Sequence, residues 1–103
     1  MGKTKDEKES YKKSIVKRRG RTEEFDERKV YGSVYAASAS ARYDEESCEK
    51  NADAVTQKVK NFLKDKNKID SLEIRKIVIS ELKKKGGKLA FFYKQHLPNL
   101  KKL

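Results

Sequence analysis

A chain of 103 residues has room for one domain with a single modest core. Charged side chains make up 42% of it and hydrophobic ones 35%, yet the hydrophobics recur periodically, which argues against wholesale disorder. The net charge of +11 favours anionic partners such as nucleotides, nucleic acids or acidic membrane surfaces, while the single cysteine, Cys48, excludes an intramolecular disulfide or a Cys-based zinc ribbon.

Met1 to Lys13 is polar and aperiodic, so residues 1–13 read as a flexible charged arm. It has no apolar stretch, hence no signal peptide is expected, and no run in the chain approaches transmembrane length. Gly2-Lys3-Thr4 ends like a P-loop but lacks the upstream strand and first glycine, and Asp6 breaks the N-myristoylation pattern. The β-branched Ile15 and Val16 open a strand, Gly20 allows a tight turn, and Thr22 to Phe25 returns antiparallel. Asp26 is a good N-cap for a helix from Glu27 to about Ala41. Val30, Val34, Ala37 and Ala41 form its apolar face, with Tyr31 and Tyr35 as a neighbouring stripe. Gly32, inside this helix, weakens it by about 1 kcal/mol relative to Ala.

Asp44 caps a second helix, from about Glu45 to Lys64, whose acidic first turns suit the helix dipole. Cys48, Ala52, Val55, Val59 and Phe62 share one face, with Leu63 beside them. Asp65 to Lys68 is a loop, and Lys68-Ile69 adds a short third strand. Asp70 and Glu73 stand three apart, close to a capping box, and open a third helix with Ile74, Ile77, Val78 and Leu82 inward. Lys83, Lys84 and Lys85 suit its C-terminus and Gly86-Gly87 stops it. A fourth helix, with Leu89, Phe92, Tyr93 and Leu97 inward, runs from about Lys88 to Leu97, where Pro98 blocks continuation. The fold class is α+β: a small four-helix bundle capped by a short two- to three-stranded sheet over residues 14–97, followed by a polar tail over 98–103.

The chemistry concentrates between Ile15 and Val30. Arg28 and Lys29 sit in the first turn of a helix, where the dipole already places partial positive charge and cations are disfavoured. With Lys17 and Arg18 on the preceding hairpin, they form a socket for a polyanion such as a triphosphate. Only one of Lys17 and Arg18 can turn directly toward a given site, because successive strand residues point to opposite faces. On composition alone, a solvated basic hairpin is the plainer reading. His96 and Cys48 are too few and too far apart for a metal centre, and one histidine leaves no room for a Ser/His/Asp constellation.

The run Val16-Lys17-Arg18-Arg19-Gly20, then Glu23-Glu24-Phe25-Asp26 and Lys29-Val30, closely resembles the opening of the ATP-cone. This is the regulatory nucleotide-binding domain at the N-terminus of ribonucleotide reductases. Ile69-Asp70-Ser71-Leu72-Glu73-Ile74 resembles the second family signature, and Ala90 to Lys94 its closing aromatic-plus-basic helix. The resemblance spans about residues 14 to 97. It implies a helical bundle lidded by a three-stranded sheet, binding ATP or dATP as a ligand, with no cofactor and no catalytic activity. It implies that Lys17, Arg18 and Lys29 contact nucleotide, with Val16 packing on the adenine edge or offering its backbone to it. Glu23 and Asp26 belong to the same motif, Glu23 near base or ribose. Ser71 and Arg75 stand where the family supplies further contacts, with capping and an exposed surface position as the alternatives, and Lys94 matches a basic residue of the closing helix. Arg19 departs from the family's usual Asp, losing the Asp-Gly turn signal and adding charge at the tip.

The large catalytic domain and redox cysteines of a reductase are missing from this sequence, as is the zinc ribbon of the ATP-cone repressor. The expectation is therefore a cone standing alone in the cytoplasm. It would sense purine nucleotide without hydrolysing it and would modulate a protein partner or its own self-association, with no membrane role. The alternative is a basic nucleic-acid-binding protein, with the hairpin and the Lys-rich end as its contact surface.

Overall fold

The computed structural model describes residues 15–18 and 21–100; the expected N-terminal arm, the Arg19-Gly20 turn and residues 101–103 lie outside them, as do the side chains of Ile15, Arg18 and residues 97–100. Along the chain run β1 (Ile15–Arg18), β2 (Arg21–Glu24), α1 (Glu27–Ser40), α2 (Glu45–Leu63), β3 (Lys68–Asp70), α3 (Ser71–Lys85) and α4 (Leu89–Leu100). The arrangement is the expected α+β one, helices packed under a small sheet.

Each of the first three helices starts on an aspartate. Asp26 Oδ1 accepts from the Arg28 backbone N–H at 3.0 Å, Asp44 Oδ1 from that of Ser47 at 2.8 Å, and Asp70 Oδ1 from that of Leu72 at 2.8 Å. Each carboxylate satisfies a backbone donor that the helix itself cannot. Only half of the Asp70/Glu73 capping box forms, since Glu73 is exposed and makes no return bond among the described residues.

The end of α1 is closed by a Schellman motif, with Arg42 N–H on the Ala39 carbonyl at 3.0 Å and Tyr43 N–H on the Ser38 carbonyl at 3.1 Å. Arg42 takes the left-handed position at φ 68°, which glycine usually fills. Gly86, at φ 86°, does end α3. Pro98 does not end α4, which continues to Leu100, three residues beyond the expected stop at Leu97. Proline's fixed φ is already helical, so in a last turn it forfeits one hydrogen bond without forcing the chain out.

β1 is the central strand. It pairs antiparallel with β2, Val16 opposite Glu23 and Lys17 opposite Thr22, and parallel with β3, Val16 beside Ile69 and Lys17 beside Asp70. Val16 and Ile69 are buried and join Phe25, Val30, Val34, Val55, Val59, Ile74, Val78, Leu82, Leu89 and Tyr93 in one core. Two sequence expectations shift here. Leu63 of α2 is fully buried whereas Phe62 only flanks the core, with the Lys66 ammonium 5.0 Å from its ring centroid. Ile77, Phe92 and Ala41 likewise flank the core rather than fill it. Between α1 and α2 the interior is partly polar, Asn51 Nδ2 donating to Ser38 Oγ at 3.1 Å. Among the described residues, no helix is long and apolar enough to cross a membrane.

Replacing Arg42 by glycine removes the left-handed penalty of a β-carbon, about 1–2 kcal/mol, against glycine's added unfolded-state freedom of about 0.5–1 kcal/mol. Arg42→Gly is therefore expected to stabilise the fold by roughly 0.5–1 kcal/mol on those two terms. Urea unfolding with an unchanged slope and a higher midpoint checks it.

Candidate functional site at the hairpin–helix junction

The side chains that the sequence singles out fall into four places. Across paired strands, opposite residues share a face, so Val16, Glu23 and Ile69 form one row and Lys17, Thr22 and Asp70 the next, on the other face. The first row packs inward: Val16 is 1% exposed, leaving its backbone as what it can present. The second row is exposed, and Lys17 lies there, away from Glu23.

The second place is the junction of β2 with α1. Lys29 Nζ lies 3.0 Å from Glu23 Oε1, and Arg28 reaches both oxygens of Asp26 at 3.1 Å. Lys60, from the last turn of α2, comes within 3.6 Å of Glu27 Oε2. Three cations thus gather around the first turn of α1, each against its own carboxylate. That answers the oddity of cations at a positive helix end: the acids Glu23, Asp26 and Glu27 offset both the dipole and the cations' mutual repulsion. The Lys29 and Glu23 side chains are 30% and 27% exposed, so the pair is neither dry nor freely solvated. A polyanion entering here exchanges carboxylate oxygens for phosphate oxygens on pre-gathered donors.

Ser71 and Arg75 occupy the third place, the start of α3, which β3 holds alongside β1. Ser71 is buried as the first helical residue and Asp70 does the capping; Arg75 is half-buried rather than exposed. Lys94 occupies the fourth, exposed on α4, which packs on α1 and α3. The structure therefore brings Glu23, Asp26 and Lys29 together, sets Lys17 on the opposite sheet face, and leaves Lys94 on a separate helix.

Sequence reasoning missed Lys60, and missed that Glu23 and Lys29 are partners. Lys60 follows the core residue Val59 at the flank of an apolar face, where a lysine must find an acid or reach for solvent. That spacing was the available signal. The Glu23–Lys29 pair spans a strand–helix junction, which no fixed periodicity encodes. Cys48 and His96 are held apart by separate partners, the thiol donating to the Tyr43 carbonyl at 3.6 Å and His96 Nε2 lying 3.0 Å from Ser40 Oγ. Burial pushes the Cys48 thiol up, toward an unreactive form. No cluster of His, Cys, Asp and Glu suited to a metal occurs among the described residues.

The hydrogen bond from the Arg28 guanidinium holds the Asp26 carboxyl below the usual carboxylate range, against a smaller opposing effect of burial. A depressed folded value means stability that is present above the unfolded pKa and is lost as pH falls through the folded one. Asp26→Ala is expected to cost about 1 kcal/mol at neutral pH, and Asp26→Asn much less, since the amide oxygen still caps. The wild type's advantage over Asp26→Asn should vanish in acid below the ordinary carboxylate range, measured by urea unfolding across that interval.

Compared with known families, residues 13–94 match the model described as the ATP cone domain. No curated protein and no solved structure matches the chain.

Proposed function

Since the chain belongs to the ATP cone domain family, whose role is regulatory nucleotide binding rather than catalysis, we propose that it senses ATP or dATP without hydrolysing it. The observation that carries this reading is the α1 junction, where Lys29, Arg28 and Lys60 are gathered against Glu23, Asp26 and Glu27. Phosphate oxygens would take Lys29 from Glu23, with Arg18 of the hairpin as a further cation and Lys17, on the other sheet face, adding only to the positive field. Val16 would offer backbone to the base, and Ser71, Arg75 and Lys94 would close the site from α3 and α4. Glu23, once exchanged from Lys29, stands beside the bound nucleotide and would accept from base or ribose. The unit is residues 14–97, and a lone buried thiol is compatible with a reducing cytoplasm.

Isothermal titration calorimetry with ATP, dATP and GTP tests the binding claim. Charge-assisted bonds to phosphate are worth roughly 1.5–3 kcal/mol, so Lys29→Ala or Arg18→Ala should weaken ATP about ten- to hundredfold. No heat at millimolar ATP, or unchanged affinity in both variants, would overturn the assignment, and steady phosphate release would overturn the absence of hydrolysis.

The output of such a sensor is a changed surface. Occupying the junction loosens the Glu23–Lys29 and Glu27–Lys60 pairs that tie β2 to α1 and α1 to α2, so ligand and helix packing share the same charges. We expect ATP or dATP to change the oligomeric state or the binding of a protein partner. Light scattering of the nucleotide-free, ATP-bound and dATP-bound chain, with a pull-down from its own cell extract, measures this. A monomer in all three states that captures nothing would sink it.

A further inference from the structure

A stripe of cations without ion pairs lies on α3, away from the junction. Lys76, Ser80 and Lys83 follow at i, i+4 and i+7 and so share one stripe, about 10 Å from end to end along the helix. Lys84 borders it, and together with Ile79 these residues line a shallow groove of about 480 Å³. Lys84 is paired with Glu81 at 3.1 Å, but neither Lys76 nor Lys83 has an acidic partner among the described residues. All three stripe residues are exposed, and Glu73 closes the stripe one turn before Lys76. The contrast with α1 is sharp: there Lys29, Arg28 and Lys60 each have a carboxylate, here the ammonium groups face solvent.

We infer that this α3 face binds the phosphate backbone of duplex DNA, independently of the nucleotide reading above. Two unpaired lysines a helical stripe apart, with a hydroxyl donor between them, suit an anion whose charge repeats every few ångströms rather than one compact phosphate group. Aromatic rings that could stack splayed bases do not line the groove, which sets single strands aside. Its walls are lysine stems, Ser80 and one half-buried isoleucine, and the exposed Leu72 one turn before Lys76 is a single apolar side chain, short of the continuous apolar face that an interfacial helix lays into a bilayer. The contacts are to backbone only, so binding is weak and independent of sequence, with an expected Kd of about 1–100 μM at physiological salt. Lys88, on the turn after α3, adds to the positive field of that end, whereas Lys85 falls on the side of the helix away from the stripe.

Fluorescence anisotropy of the full chain on a labelled random-sequence duplex, over a salt series, tests the inference. Lys76→Glu with Lys83→Glu should weaken duplex binding tenfold or more, and should reduce the salt slope by about one per lysine. Urea unfolding of the same variant, with slope and midpoint close to those of the wild type, shows that the fold is intact. Loss of duplex binding in Lys17→Ala but not in the α3 variant would overturn the assignment in favour of the hairpin. Equal affinity and slope in wild type and variant would overturn it outright. So would preferential binding to single strands or to phosphatidylserine vesicles.

Discussion

The arrangement of the molecule rests on the parallel pairing of β1 with β3, in which Val16 lies beside Ile69 and Lys17 beside Asp70. The two strands are separated in sequence by β2, α1 and α2, so their pairing closes a long loop and has to be repaid by burial. Val16 and Ile69 supply that burial, both entering the core that the helices share. Once the pairing is made, the β1–β2 hairpin is fixed over the bundle. Asp70, the last residue of β3, is also the cap of α3. The start of α3 is thereby placed beside the hairpin, although more than forty residues intervene.

A second constraint follows from charge. A helix N-terminus repels cations, yet α1 carries Arg28 and Lys29 in its first turn and draws Lys60 toward it from α2. The structure tolerates this because Glu23, Asp26 and Glu27 are spaced so that each cation meets one carboxylate. In water such pairs contribute little to stability, since solvent screens them and the side chains lose freedom. Their effect is on placement: three donors are held within a small volume before any ligand arrives, which lowers the ordering cost of binding an anion.

The two cationic regions differ in kind. At the α1 junction the positive charge is matched locally and exchange is required; on α3, Lys76 and Lys83 stand without acids and make a field that acts at longer range. Salt separates the two, because solvent-exposed charge is screened over about 8–10 Å at moderate ionic strength while partly buried pairs are screened less. A chain of net charge +11 can in this way carry one selective anion site and one general anionic surface without either abolishing the other.

The sequence by itself determined whatever depends on neighbours in the chain. Asp26, Asp44 and Asp70 were readable as caps because capping is a bond between a side chain and a backbone two or three residues on. Gly86 was readable as a stop because only glycine takes such a backbone angle freely. The motif from Val16 to Val30 was enough to indicate the family, and the helix faces were legible from their period. Tertiary structure decided what depends on distant partners. Leu63 rather than Phe62 fills the core, Ser38 and Asn51 are buried because each satisfies the other, and Lys60 reaches Glu27 across two helices. Val16 proved to be a core residue and Lys17 to face the other way, since strand parity is set by which face the bundle covers. Pro98 reads as a stop in the sequence yet does not act as one, for the converse reason: in a last turn its missing bond costs too little to end the helix. Local hydrogen bonding is written in adjacent residues, whereas burial and ion pairing are settled only when separated segments meet.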